Sequence, residues 1–538
     1  MAARRATPPH DARLRAGCAA GDVELGVREN KPPMRTAVSL AVCAASGLLL
    51  ALAFPRAGWW PLAWVALVPW LAVVFTARWP VAVIGSWLAG FSFFSALMSW
   101  IAIFGYLPWA LLALIQGVIF VAAAALVRII APRSAWRVLA VGVAWVTCEF
   151  ALGLGPFGIT WGQIGHSQAS FGALAQLAAF GGVPAISFLV VTVNAAVAHA
   201  LVEREKGLRA YAPLLYAAAL VAWAAALGSA HGRLVQRALA ADTAPPVRVG
   251  IAQPSIRYGL EIGQSGAPET IEQQRRELAA YEQLTRQAAA RGARIIIWSE
   301  SAVPGYLEYE SVIRDTITSL ARELGVWLLV GGPAYENDCE YNSIYVISPQ
   351  GLITGRYDKV HLVPFGEYVP WREHLPFLSR YRVRARDVTR GAGHRLLRAN
   401  GLSFGPLICF ESVFPYISRH EAARGAQALV VATNDAWFLR TSAAAQHLQI
   451  GRFRAIEEGM YFAQAAGTGV SGFVDPLGRV ITSLGIFERG AIVADVRPRA
   501  ADTLYRRVGP AFSLACVLAA FGWVIGALIL RRARRRRG

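Results

Sequence analysis

Long, almost uninterrupted apolar stretches dominate the first 230 residues of the chain and return near its end. A stretch of about 20 apolar residues is long enough to cross a lipid bilayer as a helix. The pattern therefore predicts seven transmembrane helices in the first part of the chain and an eighth near the end. We place them at residues 37–54, 59–77, 81–105, 108–131, 136–154, 176–202, 210–230 and 509–530.

Between residues 232 and 505 the pattern changes to short apolar runs that alternate with longer mixed stretches. Such alternation is typical of an α/β domain in which helices cover β-sheets. The strands are predicted at residues 247–252, 294–298, 326–331, 343–347, 403–408, 428–432, 469–475 and 491–496. The helices are predicted at residues 270–290, 311–324, 413–424 and 443–459.

The composition favours a membrane protein over a nucleic-acid-binding one. Hydrophobic residues make up 55% of the 538 residues and charged residues only 16%, although the net charge is +19. Much of the excess charge lies at the two ends of the chain, where basic runs flank apolar spans as cytoplasmic anchors do. No nucleic-acid-binding motif accompanies either run, so no nucleic-acid partner is expected.

These patterns together predict five segments. They are a basic cytoplasmic arm at 1–35, a helical bundle of about seven spans at 36–231, an extramembrane α/β domain at 232–505, a C-terminal transmembrane helix at 506–530 and a basic tail at 531–538.

The charges of the loops predict the orientation of the bundle. If the N-terminus lies inside, the outer loops near residues 106–107 and 155–175 contain no lysine or arginine. Because basic loops remain on the cytoplasmic side, the α/β domain is predicted to lie outside the inner membrane, in the periplasm of a bacterium. The basic residues of the inner loops are Arg78, Arg128, Arg133, Arg137, Arg204, Lys206 and Arg209.

Three motifs in the α/β domain carry candidate chemistry. Ile-Ile-Ile-Trp-Ser-Glu places Glu300 just after a predicted strand, and Tyr-Asp-Lys-Val-His-Leu-Val-Pro-Phe-Gly-Glu contains Lys359. In Leu-Ile-Cys-Phe-Glu-Ser, Cys409 ends an apolar strand. A thiol is a strong nucleophile once a carboxylate has accepted its proton, and an ammonium stabilises both the thiolate and the oxyanion. The three residue types therefore form a complete set for thioester chemistry.

Lysine is rare in this chain, which singles out Lys359. Of the 53 basic residues only Lys31, Lys206 and Lys359 are lysines, so Lys359 is the only lysine between residues 232 and 505. A solvated surface charge is served equally well by arginine. A site that needs a compact ammonium with a tunable pKa is not served equally well by arginine.

Taken singly, each of these residues also has a structural explanation. A cysteine at the end of a strand is more often a buried packing residue, and Glu300 alone could be a helix cap or a surface carboxylate. His361 and His447 are candidate bases, but a lone histidine usually serves as a hydrogen-bonding residue. The joint occurrence of the three motifs, in this order, favours the catalytic interpretation.

The motifs of Glu300, Lys359 and Cys409 resemble the Glu-Lys-Cys triad of the nitrilase superfamily. The long lysine motif, with apolar spans on both sides, resembles that of the bacterial apolipoprotein N-acyltransferases over roughly residues 36–530. The resemblance implies an αββα sandwich and a two-step reaction. A phospholipid would donate an acyl chain to Cys409, and the α-amine of a diacylglyceryl-cysteine at the N-terminus of an apolipoprotein would accept it.

Further residues match the pattern of this family. Two acids flank the lysine and the nucleophile, and an amide lies in Tyr-Asn-Ser. One tryptophan resembles a loop aromatic near the mouth of the site, and another resembles a tryptophan of a periplasmic loop. These supporting residues are Glu367, Glu411, Asn342, Trp437 and Trp161. Phe410 is a candidate that departs from the pattern, because tyrosine is common there. Ile262 stands where a tryptophan often occurs.

Two other functions remain open at this point. A membrane-tethered nitrilase or amidase would share the triad but use water in place of the amine, and a single anchor would be enough for it. A transporter or scaffold with a non-catalytic outer domain would not need the intact Glu300, Lys359 and Cys409. No metal and no organic cofactor is expected.

Overall fold

The structure is a computed structural model of the chain and describes residues 36–130, 135–155, 157–255, 271–377, 387–498 and 501–537. The predicted arm at 1–35 and Ile262 lie outside the described residues. Helices form the first part of the molecule and two β-sheets form most of the second. The helices of the first part are α1 (Thr36–Ala51), α2 (Val68–Thr76), α3 (Trp79–Leu97), α4 (Tyr106–Ile130), α5 (Arg137–Leu152), α6 (Gly172–Ala175), α7 (Ala178–Gly181), α8 (Val183–Val202) and α9 (Ala212–Ala241).

Among the described residues, five helices are long and apolar enough to cross a membrane. They coincide with five of the eight predicted spans and are Trp79–Leu97, Tyr106–Ile130, Val183–Val202, Arg204–Ala241 and Ala511–Ala533. The two spans predicted first are shorter in the structure. α1 has 16 residues, and the second span is divided into a 3₁₀ turn at Trp60–Trp64 and the nine residues of α2.

Proline and glycine explain these interruptions. Pro61 and Pro69 are the second residues of the 3₁₀ turn and of α2. Proline is accepted in the first turn of a helix but cannot continue a helix that precedes it. Gly182, with φ +70°, separates α7 from α8 inside the span predicted at 176–202. The predicted fifth span corresponds to the 16 residues of α5. The expected boundary at residue 232 falls inside α9, because that helix continues to Ala241.

The α/β domain contains two six-stranded sheets. The first has the strand order β12-β1-β2-β3-β4-β5 and the second β11-β10-β9-β8-β7-β6. In each sheet three neighbouring strands are parallel, β1 to β3 in the first and β7 to β9 in the second. The strands are β1 (Val247–Gln253), β2 (Ile295–Ile297), β3 (Trp327–Glu336), β4 (Cys339–Ile347), β5 (Ile353–Asp358), β6 (Leu397–Ala399), β7 (Leu402–Ile408), β8 (Ala428–Thr433), β9 (Tyr461–Ala466), β10 (Ser471–Val474), β11 (Val480–Leu484) and β12 (Gly490–Val496).

Four layers result from the packing of these sheets. Buried side chains such as Ile251 and Ile297 of the first sheet meet Phe404 and Val430 of the second in a shared core. The outer face of the first sheet is covered by α10 (Ile271–Ala290) and α11 (Ser311–Leu324). The second sheet is covered by α12 (Pro415–Ala423) and α13 (Ala443–Glu458). The domain is therefore the predicted αββα sandwich.

The layer of α12 and α13 also contacts the helical bundle. Ile417, Leu448 and Phe453 from these two helices belong to the same buried cluster as residues of the bundle. After the sandwich, the short helix α14 (Leu504–Val508) leads to α15 (Ala511–Arg537), which packs against α5. The second sheet thus faces the bundle, and the first sheet faces away from it.

All eight predicted strands and all four predicted helices of this domain are present, and four strands were not predicted. β9 is rich in alanine, β6 has only three residues, and β5 and β11 are partly exposed. β5, β6 and β9 lack the β-branched apolar run by which the predicted strands are recognised, whereas β11 has such a run in Val480–Leu484 and was missed.

Candidate active site

Three strand ends bring the predicted triad together. Glu300 follows β2 and Lys359 follows β5, both in the first sheet, whereas Cys409 follows β7 in the second. Lys359 Nζ lies 3.7 Å from Glu300 Oε1. The charges of Glu300 and Lys359 both act on the Cys409 thiol. The site therefore lies between the two sheets, at the ends of these three strands.

Cys409 occupies a sharp strand-to-helix turn. Its φ of +53° is in the left-handed region that residues other than glycine rarely adopt. The chain passes directly from β7 into a 3₁₀ turn at Cys409–Val413. Burial and the charge of Glu300 hold the pKa of the Cys409 thiol well above its ordinary value, and the Lys359 charge opposes them only in part. The resting residue is therefore a thiol that needs a base.

Lys359 is almost completely enclosed, with 1% of its side chain exposed. Its Nζ lies 3.0 Å from Glu367 Oε1 and 2.9 Å from Glu367 Oε2. Burial alone would lower the pKa of Lys359, but Glu367 and then Glu300 raise it above its ordinary value. The lysine is therefore a fixed ammonium, and it does not act as a proton donor near neutral pH.

One amide orients both carboxylates around the lysine. Asn342 Nδ2 donates to Glu300 Oε1 at 2.7 Å and to Glu367 Oε1 at 2.9 Å. The second oxygen of Glu300 accepts from the Asn434 backbone N–H at 2.8 Å. Burial would raise the pKa of Glu367, but Lys359 and the hydrogen bonds to this carboxylate lower it. Glu367 is thus the permanent partner of Lys359.

Glu411 is fully buried and is held by hydrogen bonds to its carboxylate. Its carboxylate accepts backbone N–H bonds from Val360 at 2.7 Å, from His361 at 2.9 Å and from Ile408 at 2.8 Å. The Tyr357 hydroxyl donates to it at 3.0 Å. Glu411 therefore connects the loop that follows Lys359 to the turn at Cys409.

The aromatic candidates connect this turn to the bundle. Trp161, from the loop after α5, stacks on the ring of Phe410 with centroids 6.3 Å apart. Its Nε1–H donates to Gln446 Oε1 of α13 at 2.7 Å. Trp437 lies in the loop after β8, where its ring is 6.4 Å from that of Phe104, which precedes α4 of the bundle. A wall of apolar side chains therefore leads from the bundle to Cys409.

The structure brings together a group of three side chains that the sequence patterns did not predict as a group. His447, Asp435 and Ser412 form a buried hydrogen-bonded group directly behind Cys409. In the sequence His447 is a candidate base without a second signal to support it. The three residues are far apart in the sequence, and no regular spacing relates them.

The comparisons with known proteins agree with this architecture. Residues 248–505 match the family model of the carbon–nitrogen hydrolases, and residues 46–196 match that of the apolipoprotein N-acyltransferase N-terminal domain. An apolipoprotein N-acyltransferase of Geobacter metallireducens is 33% identical over 510 residues, which cover 90% of this chain and 94% of the relative. Another, of Azotobacter vinelandii, is 32% identical over 91% of this chain and 95% of its own length.

Among solved structures, the chain matches an amidase from Nesterenkonia sp. with a TM-score of 0.38 and 22% identity over 50% of this chain and 96% of the amidase. The αββα sandwich and the carbon–nitrogen hydrolase match define a membrane-associated enzyme of the nitrilase superfamily. Within that class, the chain belongs to the apolipoprotein N-acyltransferase family. The fold and the family predicted from the sequence are confirmed.

Proposed function

We propose that this protein transfers a fatty-acyl chain from a membrane phospholipid, through a thioester on Cys409, to the α-amine of a diacylglyceryl-cysteine at the N-terminus of an apolipoprotein. The observation that carries this proposal is the meeting of Glu300, Lys359 and Cys409 beside an apolar wall that begins in the bundle. The family name of the relatives supports the acceptor.

In the first half-reaction, Glu300 accepts the proton of the Cys409 thiol. The sulfur then attacks the ester carbonyl carbon of the phospholipid, and the carbonyl oxygen becomes an oxyanion. When the intermediate collapses, the ester C–O bond breaks. Glu300 returns its proton to the departing lysophospholipid oxygen, and the acyl chain remains on sulfur.

Lys359 serves this step as a fixed positive charge. Because Glu367 and Glu300 keep it ionised, it needs no reorganisation when negative charge develops on the oxygen. The backbone N–H of Phe410, in the first turn after Cys409, has no acceptor within its own helical turn. It is the second donor that we assign to the oxyanion.

The second half-reaction runs through the same groups. The α-amine attacks the thioester carbonyl, the new C–N bond forms, and Glu300 accepts a proton from nitrogen. The C–S bond then breaks, and the thiolate takes that proton back. The products are an amide and a free Cys409 thiol, so the cycle needs no metal or redox partner.

The aromatic contacts favour a lipid donor over a soluble amide. Trp161 and Phe410 place a bundle loop and the nucleophile turn face to face, and Phe104 and Trp437 extend the apolar surface at the outer end of the bundle. An acyl chain can lie along such a surface without exposure to water. A tethered hydrolase of soluble amides would not need this connection.

The orientation of the molecule follows from its charges, and we assign the sandwich to the outer, periplasmic side. Arg137 pairs with Glu203 at 2.8 Å, and Lys206 pairs with the same carboxylate at 2.7 Å. These residues lie at the opposite end of α5 and α8 from the loop of Trp161. Since basic ends stay cytoplasmic, the inner membrane with an outward-facing catalytic domain is the proposed location.

Intact-mass analysis of the acyl-enzyme tests this assignment. The purified chain is mixed with phosphatidylethanolamine in detergent, without acceptor, and should gain the mass of one acyl chain. Cys409→Ala should gain none, whereas the matched variant Cys339→Ala should behave as the parent does. Addition of a diacylglyceryl-cysteinyl peptide should release the chain as an amide. Acylation of Cys409→Ala, or release only as free fatty acid, contradicts the proposal.

A further inference from the structure

A chain of buried hydrogen bonds ends on the backbone of the nucleophile. His447 Nδ1 lies 3.2 Å from Asp435 Oδ1, and His447 Nε2 lies 2.6 Å from Ser412 Oγ. Ser412 Oγ–H donates to the carbonyl oxygen of Cys409 at 3.0 Å, and His447 Nε2 is 3.2 Å from that oxygen. All three side chains are buried, with no more than 1% of each exposed.

This series of hydrogen bonds has an acceptor at each end, the Asp435 carboxylate and the Cys409 carbonyl. A carbonyl oxygen and a carboxylate oxygen only accept hydrogen bonds. His447 Nδ1 faces the Asp435 carboxylate, and His447 Nε2 faces both the Ser412 hydroxyl and the Cys409 carbonyl. Ser412 donates its hydroxyl hydrogen to that carbonyl. The Cys409 carbonyl is thus in contact with two side chains at once.

Holding that carbonyl also fixes the next N–H. The peptide unit is planar and trans, so the N–H of Phe410 points opposite to the C=O of Cys409. His447 and Ser412 therefore set the direction of the Phe410 N–H through the atom on the other side of the same plane. The ring of Phe410 is held separately, by its stacking on Trp161.

The conformation of Cys409 explains why such support is needed. A φ of +53° is unfavourable for a residue with a Cβ atom and persists only where the surroundings enforce it. Asp435 also accepts from Thr433 Oγ1 at 2.8 Å, and Thr433 hydrogen-bonds to the Cys409 thiol. The buried carboxylate of Asp435 thereby holds both Thr433, which contacts the thiol of Cys409, and His447, which contacts its carbonyl.

We propose that Asp435, His447 and Ser412 are positioning residues that aim the Phe410 N–H at the oxyanion of the acyl-transfer step. This inference rests on the proposed function, since it assumes acyl transfer at Cys409. None of the three touches the acyl group; they act through the Cys409–Phe410 peptide. Their contribution is therefore to the rate of thioester formation and not to the binding of phospholipid.

Two reactions of the Cys409 thiol distinguish residues that aim the Phe410 N–H from residues that only maintain the structure around the thiol. Thioester formation from phosphatidylethanolamine develops an oxyanion, whereas alkylation of Cys409 by iodoacetamide is a displacement at a saturated carbon and develops none. Both rates are measured for the full-length chain in detergent, with Cys339→Ala as the background. The variants are Ser412→Ala, His447→Asn and His447→Gln.

Ser418→Ala is the matched control. Ser418 is equally buried and donates to the carbonyl of Pro415 at 3.1 Å, three residues earlier, as Ser412 does to Cys409. This variant should leave both rates unchanged. In contrast to Asn, Gln at position 447 can place an amide N–H near the position of Nε2, so His447→Gln should recover part of what His447→Asn loses.

The expected result is slower thioester formation, about 10-fold for Ser412→Ala and up to about 10²-fold for His447→Asn, on the scale of losing one oxyanion donor. The alkylation rate and the phospholipid concentration at half-maximal rate should not change.

Two outcomes would overturn the inference. Equal loss in both reactions would mean that the residues hold the thiol itself, and no loss in either reaction would mean that they do not aim the peptide. Absence of thioester in the parent chain would instead refute the proposed function. If the His447 variants do not fold, Ser412→Ala against Ser418→Ala decides.

Discussion

Lys359 Nζ lies 2.9 Å from Glu367 and 3.7 Å from Glu300, so the closest partner of the lysine is a carboxylate outside the predicted triad. Under the proposed mechanism, this arrangement gives the two acids different roles. Glu367 neutralises the buried ammonium, and Glu300 stays free to accept a proton. Without Glu367, Lys359 would compete with the thiol for the charge of Glu300.

The enclosure of Lys359 leads to a prediction for Lys359→Arg. The larger, planar guanidinium does not fit where Nζ is held between two carboxylates with 1% of the side chain exposed. We expect thioester formation to fall by roughly 10²–10³-fold, on the scale of an oxyanion donor. The measurement is the rate of acyl-enzyme formation by mass spectrometry.

The reverse exchange nearby is the control. Arg356 lies three residues earlier and pairs with Glu336 at 2.7 Å in a more exposed setting. Arg356→Lys also exchanges one cation for the other, and its rate should remain close to that of the parent. Normal turnover by Lys359→Arg would show that only a diffuse positive field is needed, and the scarcity of lysine in this chain would then have no bearing on catalysis.

The three carboxylates should act at different steps. Glu300→Gln removes the base, so no thioester should form even on long incubation. Glu367→Gln and Glu411→Gln leave that base in place but loosen Lys359 or the loop beside it. These two variants should accumulate some thioester and transfer it slowly to a diacylglyceryl-cysteinyl peptide. Intact mass before and after addition of the peptide measures both steps. Thioester on Glu300→Gln, or none on both other variants, overturns this division.

Much of this architecture could be predicted from the sequence, because the decisive signals are local. The β-branched run of β2 and the amphipathic pattern of α11 identify those elements without knowledge of their neighbours. The alanine-rich β9 could not be recognised, since only its buried position between β8 and β10 makes it a strand.

The site shows the same division between local and long-range information. Glu300, Lys359 and Cys409 stand in recognisable motifs, so the sequence alone is enough to propose them. The contact of His447 with Ser412 spans 35 residues and depends on how α13 packs on the second sheet. The closeness of Lys359 to Glu367 likewise depends on how the loop after β5 folds back. A local sequence pattern does not predict which residues tertiary packing brings into contact.

The predicted orientation can be tested with two exposed positions at opposite ends of the molecule. Val312, at the start of α11, is 74% exposed, and Leu208, between α8 and α9, is 90% exposed. In a background of Cys339→Ala and Cys409→Ala, a membrane-impermeant maleimide should label Val312→Cys in intact spheroplasts. It should label Leu208→Cys only after permeabilisation. The opposite pattern would place the catalytic domain inside and exclude a periplasmic acceptor.

Glu411 introduces a pH-dependent element into the stability of the site. Burial, opposed by the charge of Lys359 and by three backbone N–H bonds, raises the pKa of its carboxyl from 4.5 to about 7. Between these two values the folded chain binds this proton more tightly than the unfolded chain does. The stabilisation that this group provides is therefore complete below pH 4.5 and is lost as the pH rises through about 7.

Glu411→Gln should remove this component, because an amide does not titrate in this range. We expect the Tm of the parent chain in detergent to exceed that of Glu411→Gln most at about pH 5, and the difference to shrink towards about pH 8. Glu457 and Glu458 are also buried with raised pKa values, about 6 and about 8, so the parent curve alone does not isolate Glu411. The difference between the two proteins does, since both contain that pair. Glu272→Gln, on the exposed face of α10, should give a curve parallel to that of the parent. A Tm difference for Glu411→Gln that stays constant across this range would mean that Glu411 is ionised throughout, with its N–H bonds outweighing its burial.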